Sequence, residues 1–222
     1  MPYQDVPKMV VKRLPLYLRV LDNLIKFDVE VVSSGGLSEI TGFSAEQIRK
    51  DLAYFGAFGT RGCGYNTEFL RNRILKIIGL NEQTKIIIAG IGHLGQAISR
   101  YNIDKNPYIK IVGLFDSDSA VIGKKIADIT VSHINVMAEF VRENAVKVAI
   151  ITVPADNAQE VADELVEGGV KAILNMAPIR LKVPESVHLH NADLTVEVHS
   201  LIYYSSDEAQ REMNEREIAN DR

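Results

Sequence analysis

The stretch Lys85-Ile86-Ile87-Ile88-Ala89-Gly90-Ile91-Gly92-His93-Leu94-Gly95 reads as a short apolar strand that enters a glycine turn and leaves as a helix from Gln96 to Tyr101. Glycines at the first, third and sixth places of such a turn let the chain bend sharply, approach a charged group closely and pack a helix against its own strand. A second apolar strand, Ile109 to Phe115, ends in Asp116, 21 residues after Gly95. At that spacing an acidic residue meets the ribose hydroxyls of an adenosine. A carboxylate there also repels a 2′-phosphate, so the expected cofactor is NAD+/NADH rather than NADP(H), with Asp118 as the substitute should the register differ by two. Val148 to Thr152 (strand), Asn157 to Glu167 (helix) and Ala172 to Asn175 (strand) continue a parallel sheet.

Ligands in open α/β sheets lie at the carboxyl ends of the strands. The candidate cofactor contacts are therefore Gly90, Ile91, Gly92, His93, Leu94, Gly95 and Asp116, together with Thr152, Val153, Pro154 and Asn175 at the ends of later strands. A Rossmann-like domain that binds CoA, another nucleotide or nothing remains the alternative on these residues.

The glycine turn starts after about eighty residues of a different character, whereas a dehydrogenase usually opens with it. Val10, Val11, Leu14, Leu18, Leu21, Leu24 and Ile25 form one helical stripe, interrupted by Pro15, which should kink that helix or bound it. In the next segment Leu37, Ile40, Phe43, Ile48 and Leu52 form a compact apolar set, Gly42 permits a tight turn, and Ser44 with Gln47 fits a capping box. This is the pattern of a helix-turn-helix. The second helix, Ala45 to Phe55, buries Ile48 and Leu52 and leaves Ser44, Ala45, Glu46, Gln47, Arg49 and Lys50 on or near the outer face of its N-terminal half. Gln and Arg there carry the forked groups that match base edges. Gly56 to Tyr65 holds four glycines around Arg61, a composition suited to a hairpin wing that places an arginine in a narrow minor groove. A plain three-helix bundle with a surface hairpin is the alternative. Asn66 or Thr67 would then cap a helix over Glu68 to Ile78, with Phe69, Leu70, Ile74, Ile77 and Ile78 inward and Gly79 ending it.

Residues 1–79 carry 11 Lys and Arg against 8 Asp and Glu, and the remainder 14 against 21, so a net charge of −4 conceals a mildly basic head on an acidic body. Such a distribution keeps non-specific attraction to DNA modest and local. One cysteine, Cys63, excludes an intrachain disulfide and a Cys-rich metal site. No apolar run is long enough to span a bilayer, and Met1 to Lys12 lacks the apolar core of a signal peptide, so the expectation is a cytoplasmic chain without membrane partners.

His188 and His190 share a strand face, but with no third ligand we expect surface imidazoles and no metal. A hydride-transfer enzyme needs a general acid or base beside the nicotinamide, usually from another domain. Here the other domain is the DNA-reading candidate, and His93, His133 and His199 supply no obvious partner set, so no catalysis is expected. From Leu194 to Tyr204 the apolar pattern fits a strand or a helix, and either must be covered by something, a second subunit being one solution. The tail from Asp207 to Arg222 reads as solvated.

Arg49-Lys-Asp-Leu-Ala-Tyr-Phe-Gly56, Gly59-Thr-Arg-Gly-Cys-Gly-Tyr65, Gly90-Ile-Gly-His-Leu-Gly95, Ile151-Thr-Val-Pro154, Ile173-Leu-Asn-Met-Ala-Pro178 and Asn191-Ala-Asp193 occur in that order, and together they closely resemble the Rex family of bacterial redox-sensing repressors. The resemblance implies an α/β chain with a winged helix-turn-helix over 1–79, then a Rossmann NAD(P)-binding domain over 80–222 ending in a domain-swapped helix. It further implies a homodimer that binds double-stranded operator DNA when NADH is scarce and releases it when NADH is bound. Arg49 and Lys50 would contact DNA from the recognition helix, and Arg61 from the wing. Tyr101 and Asp193 would lie on the nicotinamide side as a switch, with Arg19 as the partner of Asp193. A small NAD-dependent dehydrogenase and a CoA-binding regulatory module are the other classes considered.

Overall fold

The computed structural model describes residues 6–59 and 63–206, and for 102–105 the backbone alone. The chain divides into two compact units, Met1–Gln83 and Thr84–Arg222. Gly79 ends the last helix of the first unit in the left-handed conformation, and the Leu80 N–H bonds back to the Leu75 carbonyl.

The first unit is built from α1 (Lys8–Lys26), β1 (Val31–Val32), α2 (Ser34–Thr41), α3 (Ala45–Ala53), β2 (Tyr65–Asn66) and α4 (Thr67–Ile78). α1 runs through Pro15 without a boundary, and its inward face is Val10, Leu14, Tyr17, Leu18, Val20 and Leu21. Val11, expected on that face, is 48% exposed. Gly42 turns the chain between α2 and α3 at φ 76°, and the Ser44 hydroxyl accepts the Gln47 N–H at 3.1 Å. Leu37, Ile48 and Leu52 are buried, whereas Ile40 is 55% exposed. On α4 the Asn66 side chain caps Phe69 N–H, and Leu70, Ile74 and Leu75 form the inward ridge. Phe69, one position ahead of that ridge, points to solvent. β1 and β2 pair antiparallel, Val31 with Asn66 and Val32 with Tyr65, so the strand leading into α4 closes on one that precedes the helix-turn-helix. At the neck Gly59 lies so close to Gly64 and Tyr65 that a Cβ would strike them.

The second unit is a seven-stranded sheet of β3 (Thr84–Ala89), β4 (Ile109–Asp116), β5 (Lys125–Ile126), β6 (Ile129–His133), β7 (Val148–Ile151), β8 (Ala172–Asn175) and β9 (His188–Asn191), in the order β5-β6-β4-β3-β7-β8-β9. All pairs are parallel except β5 with β6. Counted along the chain, the parallel strands lie in the spatial order 3-2-1-4-5-6 of a doubly wound dinucleotide-binding sheet. α5 (His93–Lys105), α6 (Met137–Glu143) and α7 (Ala155–Gly168) supply the crossovers. Two apolar clusters fill the unit, one around Phe115, Met137, Val141, Val161 and Leu165, the other around Ile86, Ile88, Ile91, Leu114 and Val131. The segment that the periodicity left ambiguous is a helix, α8 (Leu194–Ser205), opened by Asp193 as its N-cap. None of its residues is buried: Leu194, Val196, Val198, Leu201, Ile202, Tyr203 and Tyr204 are each more than half exposed. Among the described residues no helix is long and apolar enough to cross a membrane.

Candidate functional site

In the doubly wound sheet the strand order reverses between β3 and β7, and the glycine turn leaves the sheet there. Each of its three glycines meets a different constraint. Gly90 has φ 94°, and a Cβ on it would lie 2.7 Å from the Val153 backbone nitrogen. A Cβ on Gly95, at the first turn of α5, would run into the Gly90 carbonyl oxygen. Gly92, between them, has nothing within 4 Å of its Cβ direction, so the backbone there is bare. Gly92 is also the N-cap of α5 and has no side chain to accept the first N–H groups of that helix. An uncapped helix start beside a bare glycine is built to receive an anion such as a pyrophosphate.

The rest of the predicted set gathers around this turn. Asp116, at the end of β4, accepts the Ile91 N–H on Oδ2 at 2.5 Å and the Asp118 N–H on Oδ1 at 2.9 Å. Each carboxylate oxygen keeps a further acceptor site for a hydroxyl. The Ile91 side chain is sealed in the core and presents only its backbone, while His93 and Leu94 stand exposed on the first turn of α5. Thr152 donates its hydroxyl to the Gly90 carbonyl at 2.6 Å and tethers the turn to the end of β7. Val153 is half-buried beside it, and Pro154 is the N-cap of α7. Asn175, the other expected contact, ends β8. It is wholly buried, its Oδ1 accepts the Ala177 N–H, and its amide donates to the Ala177 and Ile179 carbonyls and to Asn191. Asn175 thus shapes the loop after β8. Tyr101, on α5, is 66% exposed.

Asp193 serves α8 by accepting the Thr195 and Val196 N–H groups on Oδ1. Its Oδ2 takes part in neither bond, so the carboxylate can cap the helix and still face a cation. Arg19 is exposed on α1, in the other unit. His188 and His190 are exposed on β9, and His133 uses Nδ1 to accept the Asn135 N–H, a local cap that the sequence did not reveal. Among the described residues no group of three or more His, Cys, Asp and Glu is placed to hold a metal ion.

On the first unit, Ser44, Arg49 and Lys50 are exposed and Ala45 and Gln47 half-buried, all on α3 or at its cap. Arg49 donates Nη1 to the Ser34 hydroxyl at 2.8 Å, and Lys50 pairs with Glu46 at 2.8 Å across one turn. Arg61 lies outside the described residues. Beneath α3 is a constellation missed in the sequence: Asp51, wholly buried, accepts Arg13 Nε at 2.5 Å and Nη2 at 2.7 Å, Tyr17 OH at 2.6 Å and Gln47 Nε2 at 2.7 Å. Burial alone would raise the Asp51 carboxyl, but the bonds from Arg13, Tyr17 and Gln47 outweigh it and hold the group below the usual carboxylate range. Burial, then the bond to Asp51, pushes the Tyr17 phenol up. Gln47 therefore does not reach back to complete a capping box, because its amide is engaged with Asp51.

Residues 5–53 match the family described as "Putative DNA-binding protein N-terminus", and residues 81–179 the family described as "CoA binding domain". A redox-sensing transcriptional repressor Rex from Natranaerobius thermophilus is 59% identical over 94% of this chain and 95% of its own length. The protein of that name from Listeria welshimeri is 46% identical over 90% and 93%. The crystal structure of RSP in complex with β-NAD+ and operator DNA is 41% identical, covers 96% of this chain and 98% of its own, and superposes with a TM-score of 0.87. RSP in complex with β-NADH is 39% identical, with 98% and 99% covered and a TM-score of 0.80. With curated relatives this similar across nine-tenths of its length, the chain belongs to the Rex family of redox-sensing transcriptional repressors.

Proposed function

We propose that this chain represses transcription as a homodimer on operator DNA and is released when NADH fills the crevice between β3 and β7. The observation that carries this reading is the glycine cradle, with Gly92 bare, α5 uncapped and Asp116 beside it, in one chain with a helix-turn-helix. Gly90, Gly92 and Gly95 would hold the pyrophosphate and Asp116 the adenosine ribose. The nicotinamide ring supplies the signal, being a planar cation when oxidised and neutral when reduced. A regulator responds only if its two states bind the two forms unequally. On the switch side, Asp193 pairs with Arg19, the cofactor units close about the dimer axis, and the two copies of α3 leave the register of successive major grooves. Half-sites spaced by one helical turn or a multiple of it tolerate little such error. Arg49, Lys50 and Arg61 are the proposed DNA contacts, with Ser44, Ala45 and Gln47 alongside.

α8 supports the homodimer. A helix with seven large apolar side chains more than half exposed needs a cover. A second copy of the chain, exchanging this helix, provides one. A repressor that works on the chromosome of a bacterium does so in the cytoplasm, and nothing in this reading calls for a metal or a membrane.

The test is a titration of operator duplex in parallel with NAD+, NADH and CoA. NADH should release DNA and NAD+ should not; equal binding in both redox states would overturn the sensor reading, and release by CoA alone would favour the class named by the family match at 81–179. Arg19→Ala and Asp193→Ala should each bind DNA normally yet need at least tenfold more NADH for release, because the pair contributes only in the released state. Unchanged NADH midpoints would exclude the pair as the switch. Asp116→Ala should weaken NADH binding about tenfold, the worth of one charge-assisted bond, and narrow the preference over NADPH, as calorimetry with both dinucleotides would show.

A further inference from the structure

Resting on the DNA-reading function proposed above, we infer that the buried Asp51 carboxylate fixes the side-chain amide of Gln47 so that α3 presents an acceptor oxygen to the major groove, selecting one base per half-site that carries an exocyclic amino group, adenine or cytosine.

The four donors on Asp51 determine the orientation. Oδ2 accepts Arg13 Nε and Tyr17 OH, and Oδ1 accepts Arg13 Nη2 and Gln47 Nε2. An ionised carboxylate has four lone-pair sites and no proton to give, so it can face only the NH2 end of an amide. The two-point Arg13 pair keeps Asp51 ionised. Turning Gln47 over would set its carbonyl oxygen against the carboxylate, two acceptors in contact. The usual ambiguity of a glutamine amide is therefore removed by chemistry.

Gln47 Oε1 is the end that remains. It accepts no hydrogen bond among the described residues. Gln47 is half-buried and is the third residue of the recognition helix, in the N-terminal half from which such helices reach base edges. In the major groove adenine N6 and cytosine N4 are the amino donors, while guanine O6 and thymine O4 are acceptors at the corresponding places. An oxygen held forward meets a donor with the first pair and a like pole with the second. For adenine, the other N–H of Gln47 can also serve N7, which makes the match two-pronged.

Arg49 is restrained in the same way by the Ser34 hydroxyl, but a guanidinium has donors on every edge and gains no polarity from its tether. Gln47 is the one forked side chain of this helix whose hydrogen-bonding polarity the fold decides.

The experiment is selection of bound duplexes from a library randomised across the site, using the full chain with NAD+, for wild type, Gln47→Met and Asp51→Asn. Wild type should favour one base pair at one Gln47-dependent position of each half-site, and removing the exocyclic amino group of the adenine or cytosine in that pair should weaken binding about tenfold. Gln47→Met should flatten that position alone, discrimination there falling about tenfold with the others kept. Asp51→Asn, whose amide can face either end of Gln47, should admit guanine or thymine at the same position; if it fails to fold, Gln47→Met decides by itself. A Gln47→Met selection identical to wild type at every position, or a Gln47-dependent position at which replacing its adenine or cytosine by an analogue without the exocyclic amino group left binding unchanged, would overturn the inference. A wild type that selects no sequence would instead overturn the DNA-reading function on which it rests.

Discussion

Asp51→Ala is expected to cost the first unit about 3 kcal/mol and to abolish operator binding with it. The carboxylate is wholly buried and saturated by four donors from α1 and α3, so its removal leaves the Arg13 guanidinium, the Tyr17 hydroxyl and the Gln47 amide facing a void. Breaking a buried pair from one side costs about 3–5 kcal/mol, and Arg13 retains enough exposure (14%) to place the loss at the lower end. For a unit of this size that lowers the unfolding midpoint by roughly 10–20 °C. The pH dependence has a definite sign. Asp51 is held below its unfolded value of about 3.9, so its contribution is complete above that value and disappears as pH falls through the folded value. Tyr17 is held above its unfolded value of about 10, so its contribution is complete below that and disappears as pH rises. Stability of the first unit should therefore be flat between about pH 5 and pH 9 and fall on both sides. In Asp51→Ala the acid flank should lose that part of its slope, and the alkaline flank only the share that the bond to Asp51 adds to the burial of Tyr17. Thermal unfolding of the full chain across this range is the measurement, and a midpoint within 3 °C or so of wild type would exclude a stabilising role for the network.

Why Asp51 escaped the sequence while Ser44 and Gly42 did not is a matter of periodicity. Caps and turns announce themselves through one residue type at one place, because only a short acceptor side chain can close a helix start and only glycine takes φ 76° without strain. Asp51 carried a signal of another kind: it lies at i+3 from Ile48 and next to Leu52, on the face that those residues bury. A charge on an inward face demands a partner, and the partner, Arg13, is 38 residues away. The dinucleotide sheet was legible from β3, β4, β7 and β8, whose apolar runs end at glycine, aspartate, threonine and asparagine. β5 and β6 were not. Their two-residue turn is Ala127-Asp128, at φ 47° and φ 66°, where the usual sequence signature is Asn-Gly or Asp-Gly. α8 was ambiguous because its apolar residues satisfy both periods at once, and the deciding residue was Asp193, whose carboxylate closes a helix start and has no such use before a strand.

Gly92 and Gly95 are expected to fail in opposite ways, although they stand three residues apart in one motif. At Gly95 an added Cβ meets the Gly90 carbonyl and the Thr152 hydroxyl, which are themselves joined by the bond that closes β3 onto β7. Neither can retreat, since one is backbone and the other is tethered to it. Gly95→Ala should therefore destabilise the second unit by about 3 kcal/mol, and its loss of NADH binding should accompany a loss of fold. At Gly92 the backbone sits at φ −70°, which any residue adopts, and the Cβ points into open space. Gly92→Ala should unfold within about 1 kcal/mol of wild type, the ordinary difference between glycine and alanine at a helix N-cap. Its methyl group nevertheless occupies the space through which, on the proposed reading, a pyrophosphate would approach the uncapped amides of α5, so NADH affinity should fall tenfold or more. The repressor that results should bind operator DNA and need at least tenfold more NADH to let go. Calorimetric unfolding separates the two variants in the absence of cofactor, and operator release by NADH separates them in its presence. If Gly92→Ala kept wild-type NADH affinity, the glycine turn would not be where the dinucleotide phosphates lie, and the coupling between crevice and operator would need another point of contact.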